Sequence, residues 1–149
     1  MDIVHSNFLD RLQFMTESVK TADFIALDTE FSGLAVGTED QVHAYDQVED
    51  RYQKLRHNCA RMNAFQVGIA TFKWDEKKQS YTSRPFNCYA FPNSEVCGDN
   101  VLQFKSSNIK FLTKNHFDFN KLFGEGLSYQ RLCDADKVLS KVNLKQKEY

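Results

Sequence analysis

Asp28 and Glu30 are the two residues of this sequence whose types and spacing are best suited to chemistry. Side chains two positions apart on a strand point to the same face, so the spacing predicts that the two carboxylates converge. Converging carboxylates repel each other, and a divalent cation that prefers oxygen ligands, Mg²⁺ or Mn²⁺, relieves that repulsion. Two such ions about 4 Å apart can hydrolyse a phosphodiester. Taken alone, the pair also fits two hydrated acids at the exposed end of a strand.

The apolar pattern predicts the elements that must position these acids. An almost wholly apolar run at 24–27 predicts a strand over 21–28 that is central in its sheet and buried on both faces. Open α/β sheets bind ligands at the carboxyl ends of such strands. A single apolar stripe predicts a preceding helix over 7–20, with Ser6 or Asn7 as its cap.

The rest of the chain contains further strands and helices. The expected elements are a charged helix with one apolar side over 45–61, strands over 64–72, 80–82 and 85–91, a turn at 75–79, and a last helix over 132–147. Ser107 is expected to cap a short helix that carries Ile109 and Phe111. This mixture predicts an α/β or mixed-sheet fold, and the length suits one domain.

Composition limits the classes of protein to consider. A net charge of −1 predicts no general affinity for polyanions, although Lys137, Lys141 and Lys145 can either contact RNA phosphates or face solvent. The four cysteines have no C-x-x-C spacing, which argues against a zinc site and for reduced thiols. Neither a signal peptide nor an apolar stretch of about 18 residues is present. An intracellular protein of the nucleus or cytoplasm, without a membrane span, is therefore expected.

Several blocks of this sequence resemble the poly(A)-specific ribonuclease family of DEDD deadenylases, which includes the relative that trims the 3′ ends of PIWI-interacting RNA precursors. The blocks occur in the family's order and lie at 22–34, 51–55, 65–72, 86–92 and 117–121. The first block contains the family's first exonuclease motif, with Asp28 and Glu30 at its acidic positions. The resemblance extends from Ile3 to about Tyr129 and leaves the branch of the family open.

The resemblance implies an α/β, ribonuclease-H-like fold with a mixed sheet and flanking helices, incomplete in its C-terminal half, with 1–149 as the N-terminal portion of one exonuclease domain. It implies two-metal-ion removal of nucleotides from the 3′ end of single-stranded RNA, poly(A) above all, with Mg²⁺ or Mn²⁺ on Asp28 and Glu30. A homodimer is a further expected partner. The residues that match the family's base-holding positions, or that simply pack in the core, are Phe31, Leu34, Ile109 and Phe111.

Part of the family's catalytic set has no counterpart here, because two aspartates and a histidine are expected C-terminal to the matching region. His5 and Asp10 have the spacing of one such motif, but they precede the first motif and the match is attributed to chance. Asp118 is expected to have a structural role and not a catalytic one. A catalytically incomplete RNA-binding or dimerisation module is therefore an alternative function, and a product without a stable role is a third. An uncovered sheet edge and apolar face are expected, which favours self-association.

Overall fold

A computed structural model describes residues 1–33, 41–92 and 102–129 of the chain. The elements in chain order are β1 (Asp2–Ile3), α1 (Phe8–Lys20), β2 (Phe24–Phe31), α2 (Val48–Arg61), β3 (Ala64–Asp75), β4 (Ser80–Tyr89), α3 (Ser106–Lys114) and α4 (Phe119–Glu125). The predicted last helix over 132–147, with its lysines, lies outside the described residues. So do Leu34, Cys97 and Cys133.

The four described strands form one mixed sheet in the order β1-β4-β3-β2. β3 is antiparallel to both β2 and β4, and β1 is parallel to β4. The β3–β4 hairpin closes at residues 76–79, where the Asp75 carboxylate accepts backbone hydrogen bonds from Lys77 and Lys78 at 3.0 and 3.2 Å. Aspartate favours turns through such local hydrogen bonds. The predicted turn and mixed sheet are therefore confirmed.

β2 differs from its predicted role in two ways. It extends through Phe31, so Asp28 and Glu30 lie within the strand and not after its end. Among the described residues it pairs with β3 alone, so it is an edge strand and the prediction of a central strand is wrong there. Leu27 is 72% exposed as a result. The apolar composition favours a strand, but burial on both faces also requires a second neighbouring strand.

The core lies where the two short C-terminal helices meet the sheet. Its buried cluster consists of Val4, Phe65, Tyr89, Leu112 and Leu122. Burying a side chain such as Phe65 or Leu122 completely stabilises the fold by about 1.5–3 kcal/mol. The N-terminal helix α1 also packs on the sheet, through the edge-to-face contact of Phe14 with Phe86. The core therefore holds α3 and α4 against β3 and β4, while α1 packs on the sheet through a separate contact.

Several further predictions need correction. The helix predicted over 45–61 begins only at Val48, as α2, and its apolar side faces solvent, since Val48 is 87% exposed and Leu55 47%. β4 is one continuous strand and passes through Pro85, where two separate strands were predicted. Lys105, not Ser107, occupies the N-cap position of α3. The carbonyl of Pro85 accepts a hydrogen bond from the amino group of Met1 at 2.9 Å.

Two smaller features complete the fold. Asn7 precedes α1 as predicted, but its side chain accepts a hydrogen bond from the backbone N–H of Val4, at 3.0 Å, and does not cap the helix. Asp118 accepts a hydrogen bond from the backbone N–H of Lys121 and caps α4, in line with its structural interpretation. No helix in the described ranges is long and apolar enough to cross a bilayer.

Candidate active site

Asp28 and Glu30 lie side by side on one face of β2. In the antiparallel ladder with β3, Asp28 is opposite Gly68 and Glu30 is opposite Gln66. Alternation along a strand places all four residues on the same face of the sheet. α1 covers the other face, because Phe86 belongs to the alternate set and contacts Phe14. The carboxylates therefore project from the face that α1 leaves open.

The floor beside the carboxylates is made of residues with small side chains. Ala26, Gly68 and Ala70 line a depression of about 200 Å³ together with the two acids and the amide-bearing Gln66 and Asn87. A Cβ atom added at Gly68 would lie 3.6 Å from the Cβ of Asp28. The missing side chain therefore opens space next to the carboxylates, which a metal ion or a phosphate group requires.

The electrostatics of the pair agree with cation binding. Burial raises the pKa of Glu30 above its ordinary value, and the negative charge of Asp28 raises that pKa further. Neither carboxylate has a salt bridge in the described part of the chain. The pair therefore fits a hard divalent cation such as Mg²⁺ or Mn²⁺, which would neutralise the repulsion directly.

The donor set is nevertheless partial. Within residues 1–33, 41–92 and 102–129, no group of three or more His, Cys, Asp and Glu residues is arranged to hold a metal ion. Mg²⁺ keeps several waters unless other ligands or substrate phosphates complete its octahedron. The sequence resemblance implies that Asp28 and Glu30 supply one side of a metal site, and the described residues contain no further carboxylate, histidine or thiol grouped with them. Cys59 and Cys88 are free thiols.

The segment after β2 is fixed against the start of α3. The side-chain amide of Asn108 donates a hydrogen bond to the carbonyl of Phe31. The backbone N–H of Lys105 donates to the carbonyl of Ser32 at 3.0 Å, and Ser32 Oγ accepts from the backbone N–H of Asn63 at 3.1 Å. The contact at Gly33 is tight, since a Cβ at this position would lie 3.0 Å from the Cβ of Lys105. α3 is therefore held next to the strand that carries the acids.

The predicted base-holding residues have different environments. Phe31 is half-buried beside the acids, and Phe111 on α3 is 58% exposed. Ile109 packs against the buried core cluster, as the alternative interpretation of that residue expects. Leu34 is outside the described residues. The hydrogen bond of Asn108 brings Phe31 and α3 together, while the binding roles of all four residues remain predictions.

The sequence interpretation missed Gly68, Gln66 and Asn87 as neighbours of the acids. Gln66 and Asn87 have no sequence signal, because they reach the site only through strand pairing. Gly68 does have a signal, since a glycine inside a strand often marks a close approach of a ligand or backbone.

Comparisons with known proteins agree with this geometry. The family model described as CAF1 family ribonuclease matches residues 3–149. The chain is 38% identical over 133 residues to the poly(A)-specific ribonuclease PARN of Homo sapiens, covering 87% of this chain and 21% of that protein. It is 32% identical over 139 residues to the pre-piRNA 3′-exonuclease trimmer of Bombyx mori, covering 93% of this chain and 26% of that protein. The chain thus spans between a fifth and a third of these relatives' length.

Solved structures confirm the fold. The Mg²⁺- and Mn²⁺-bound form of S. pombe Pop2p superposes with a TM-score of 0.63 at 18% identity, covering 85% of this chain and 47% of that chain. The ribonuclease domain of the yeast Pop2 protein gives a TM-score of 0.57 at 16% identity, covering 85% of this chain and 42% of that chain. The ribonuclease-H-like mixed sheet with flanking helices, expected from the sequence, is therefore confirmed.

Proposed function

The chain belongs to the CAF1 family of ribonucleases, and we propose that it carries the first acidic half of a two-metal-ion 3′-exoribonuclease site. The observation that carries this proposal is the placement of Asp28 and Glu30 on one open sheet face, beside the floor at Gly68. The raised pKa of Glu30 supports it, because that pKa is raised by burial and then further by the negative charge of Asp28. The proposed substrate is the 3′ end of single-stranded RNA, with poly(A) as the preferred class.

In this proposal each residue has a defined task. Asp28 and Glu30 hold divalent cations, Mg²⁺ or Mn²⁺, which would supply water activation and charge stabilisation at the leaving oxygen. Phe31, Leu34, Ile109 and Phe111 hold the terminal bases, and the exposed ring of Phe111 is the most available of those in the described segments. The open floor at Gly68 leaves room for the scissile phosphate next to the two acids.

The relatives' names support RNA 3′ ends as the substrate class but differ in the RNA. PARN of Homo sapiens is named as poly(A)-specific, and the Bombyx mori relative is named for pre-piRNA. We propose that the protein is intracellular, acts in the nucleus or cytoplasm, and assembles as a homodimer. The partial donor set in the described ranges favours a second candidate, an RNA-binding or dimerisation module without catalysis of its own.

Metal binding tests the proposed site independently of activity. Mn²⁺ is titrated into the chain, and free Mn²⁺ is measured by electron paramagnetic resonance. We expect Asp28→Ala and Glu30→Ala to abolish the bound fraction, while Asp10→Ala, which removes an exposed acid from α1, leaves it unchanged. Undiminished Mn²⁺ binding in both site variants would overturn the assignment.

Hydrolysis separates the two candidate functions. A 5′-labelled oligo(A) is incubated with the chain in Mg²⁺ or in chelator, and products are resolved by length. Mg²⁺-dependent loss of single 3′ nucleotides, absent in Asp28→Ala, establishes an exoribonuclease. RNA binding without cleavage, with equal affinity for the wild type and Asp28→Ala, establishes the binding module instead.

A further inference from the structure

Asn87 lies in line with Asp28 across the sheet. In the strand register Asp28 is opposite Gly68, Gly68 is opposite Asn87, and Asn87 is paired with Asp2 on β1. Paired residues share a face, and Asn87 lines the same depression as the two acids. Neighbouring strands are about 4.8 Å apart, so the Cα atoms of Asp28 and Asn87 are about 10 Å apart. Because Gly68 between them has no side chain, the register leaves this space open.

The side-chain amide of Asn87 has a defined orientation. Its Nδ2 donates a hydrogen bond to Asp2 Oδ1 at 3.3 Å, and the other carboxylate oxygen of Asp2 is 2.6 Å from the Lys121 ammonium. The hydrogen bond from Lys121, together with the weaker one from Asn87, lowers the pKa of Asp2, so Asp2 is ionised at neutral pH. An ionised carboxylate only accepts hydrogen bonds. The amide nitrogen of Asn87, and not its oxygen, must therefore face Asp2.

Asn87 Oδ1 is thus the acceptor that this side chain offers to a ligand. Within residues 1–33, 41–92 and 102–129 this oxygen accepts no hydrogen bond from protein. It is also not a buried atom left without a partner in those ranges, so it is open to solvent. An acceptor that is held in place beside the carboxylates can select a hydrogen-bond donor on the substrate.

RNA has few donors close to its scissile phosphate. The phosphate oxygens only accept hydrogen bonds, so the donors nearest to them are the ribose hydroxyls. With a phosphate at Asp28 and Glu30, the sugar bonded to it would extend across Gly68 toward Asn87. The 2′-hydroxyl is present on the sugars at both sides of that phosphate, and DNA lacks it. The 2′-hydroxyl is therefore the donor that fits Asn87 Oδ1.

We propose that Asn87 is a specificity residue that accepts a hydrogen bond from a ribose 2′-hydroxyl beside the scissile phosphate, and that Asp2 is its positioning residue. The inference rests on the proposed function, which places that phosphate at Asp28 and Glu30. Its consequence is discrimination between RNA and DNA at the sugar next to the cleaved bond. The discrimination is independent of the residues that hold the bases.

Strands altered at single sugars test this contact without changing the protein. A 5′-labelled oligo(A), with a phosphorothioate at its last linkage to slow hydrolysis, is titrated with the chain in Mn²⁺, and anisotropy gives the affinity. The 2′-hydroxyl is removed from the last or the next-to-last nucleotide, and the 3′-hydroxyl from the last. We expect one 2′-deoxy strand to bind about fivefold more weakly than the parent strand, as expected for one lost hydrogen bond. The 3′-deoxy strand should bind as the parent strand does.

Variants assign the lost hydrogen bond to Asn87. Asn87→Ala should bind the parent and 2′-deoxy strands alike, at the affinity of wild type for the weaker strand. Asp2→Ala should reduce the fivefold ratio, because the amide of Asn87 is then free to rotate. Ser83→Ala should keep the ratio and is the matched control, since Ser83 is exposed on the same strand and face but lies outside the depression. Circular dichroism melts confirm that each variant folds.

Other outcomes overturn the inference. A folded Asn87→Ala variant that keeps the fivefold ratio would place the contact elsewhere, and a folded Asp2→Ala variant that keeps it would remove the positioning role. Equal binding of all strands by wild type, or a loss confined to the 3′-deoxy strand, would exclude the 2′-hydroxyl contact, as would absence of RNA binding. Mn²⁺ binding that depends on Asp28 would still support the acid site in each case, so failure of this inference is distinguishable from failure of the proposed function.

Discussion

Gly68 lies directly opposite Asp28 in the β2–β3 ladder, and a Cβ at Gly68 would lie 3.6 Å from the Cβ of Asp28. That distance is an ordinary van der Waals contact. A methyl group therefore fits beside the acid, while a longer side chain would occupy the depression that the two carboxylates border.

Substitutions at Gly68 should therefore separate stability from binding. Gly68→Ala should raise the free energy of unfolding by about 0.5–1 kcal/mol, because glycine costs backbone entropy inside a strand. Gly68→Leu should fill the depression and weaken Mn²⁺ binding. Urea unfolding and Mn²⁺ titration measure the two effects. Unimpaired metal binding by a folded Gly68→Leu variant would contradict the role given to the floor.

Two glycines around the end of α4 provide a matched pair for packing. A Cβ at Gly126 would clash with the carbonyl of Leu122 and lie 2.9 Å from the Cβ of Phe91, whereas nothing lies within 4 Å of one at Gly124. Gly126→Ala should lower the free energy of unfolding by about 1–3 kcal/mol through overpacking. Gly124→Ala should raise it by up to about 1 kcal/mol, because alanine favours helices. Equal unfolding midpoints in urea would disprove this packing argument.

The Asp2–Lys121 ion pair predicts an acid-dependent part of stability. The Lys121 ammonium, 2.6 Å from an Asp2 carboxylate oxygen, lowers the pKa of Asp2 through a hydrogen bond. The stability from Asp2 is therefore fully present above its ordinary pKa of 3.8 and is lost as the pH falls through the lower folded-state pKa. Asp2→Asn should be less stable than wild type at neutral pH. The difference should be small, because both side chains are about a third exposed, at 30% and 38%.

Thermal melts across pH check this, with Asp10→Asn on the exposed face of α1 as the control. The gap between wild type and Asp2→Asn should begin to narrow below about pH 3.8 and should close once the pH is below the lower folded-state pKa of Asp2. A gap that persists there would show that the ion pair is not its cause.

The outer edge of β2, which pairs with no other strand among residues 1–33, 41–92 and 102–129, predicts self-association. Leu27 is 72% exposed on this edge strand, and unpaired strand edges recruit other strands. Leu27→Lys should reduce association in sedimentation velocity and change the free energy of unfolding by less than about 0.5 kcal/mol. Leu9→Lys is the matched control, because Leu9 is 80% exposed but lies on α1. The same decrease in both variants would exclude the sheet edge as the contact.

Local features of this chain could be predicted from sequence because their causes are local. The shared face of Asp28 and Glu30 follows from the two-residue period of any strand. The turn before β4 follows from Asp75 and the residues after it, and α1 ends at Lys20 as its apolar stripe predicts. The family resemblance added the metal-binding interpretation of the acids, which their spacing alone leaves open.

Features that depend on distant partners were missed. β1 has only two residues, Asp2–Ile3, and no period can be read from so short a strand. The edge position of β2 depends on which strands are present beside it, not on its own apolar residues. The sequence of α2 does not show which residues its apolar side contacts, and Leu55 stays exposed in the described structure. Gln66 and Asn87 border the acids only because β3 and β4 pair in one particular register.

The strand that carries Asp28 and Glu30 is also the strand whose outer edge has no neighbour in the described part of the chain. A strand that pairs there places its own side chains about 5 Å from those of β2, next to the carboxylates. Donors on such a strand raise metal affinity, and by reciprocity the bound metal strengthens the pairing by the same factor. The increase in metal affinity on association and the increase in association on metal binding are then set by the same coupling free energy. Under the proposed function, the rate of hydrolysis is then expected to depend on protein concentration as well as on Mg²⁺.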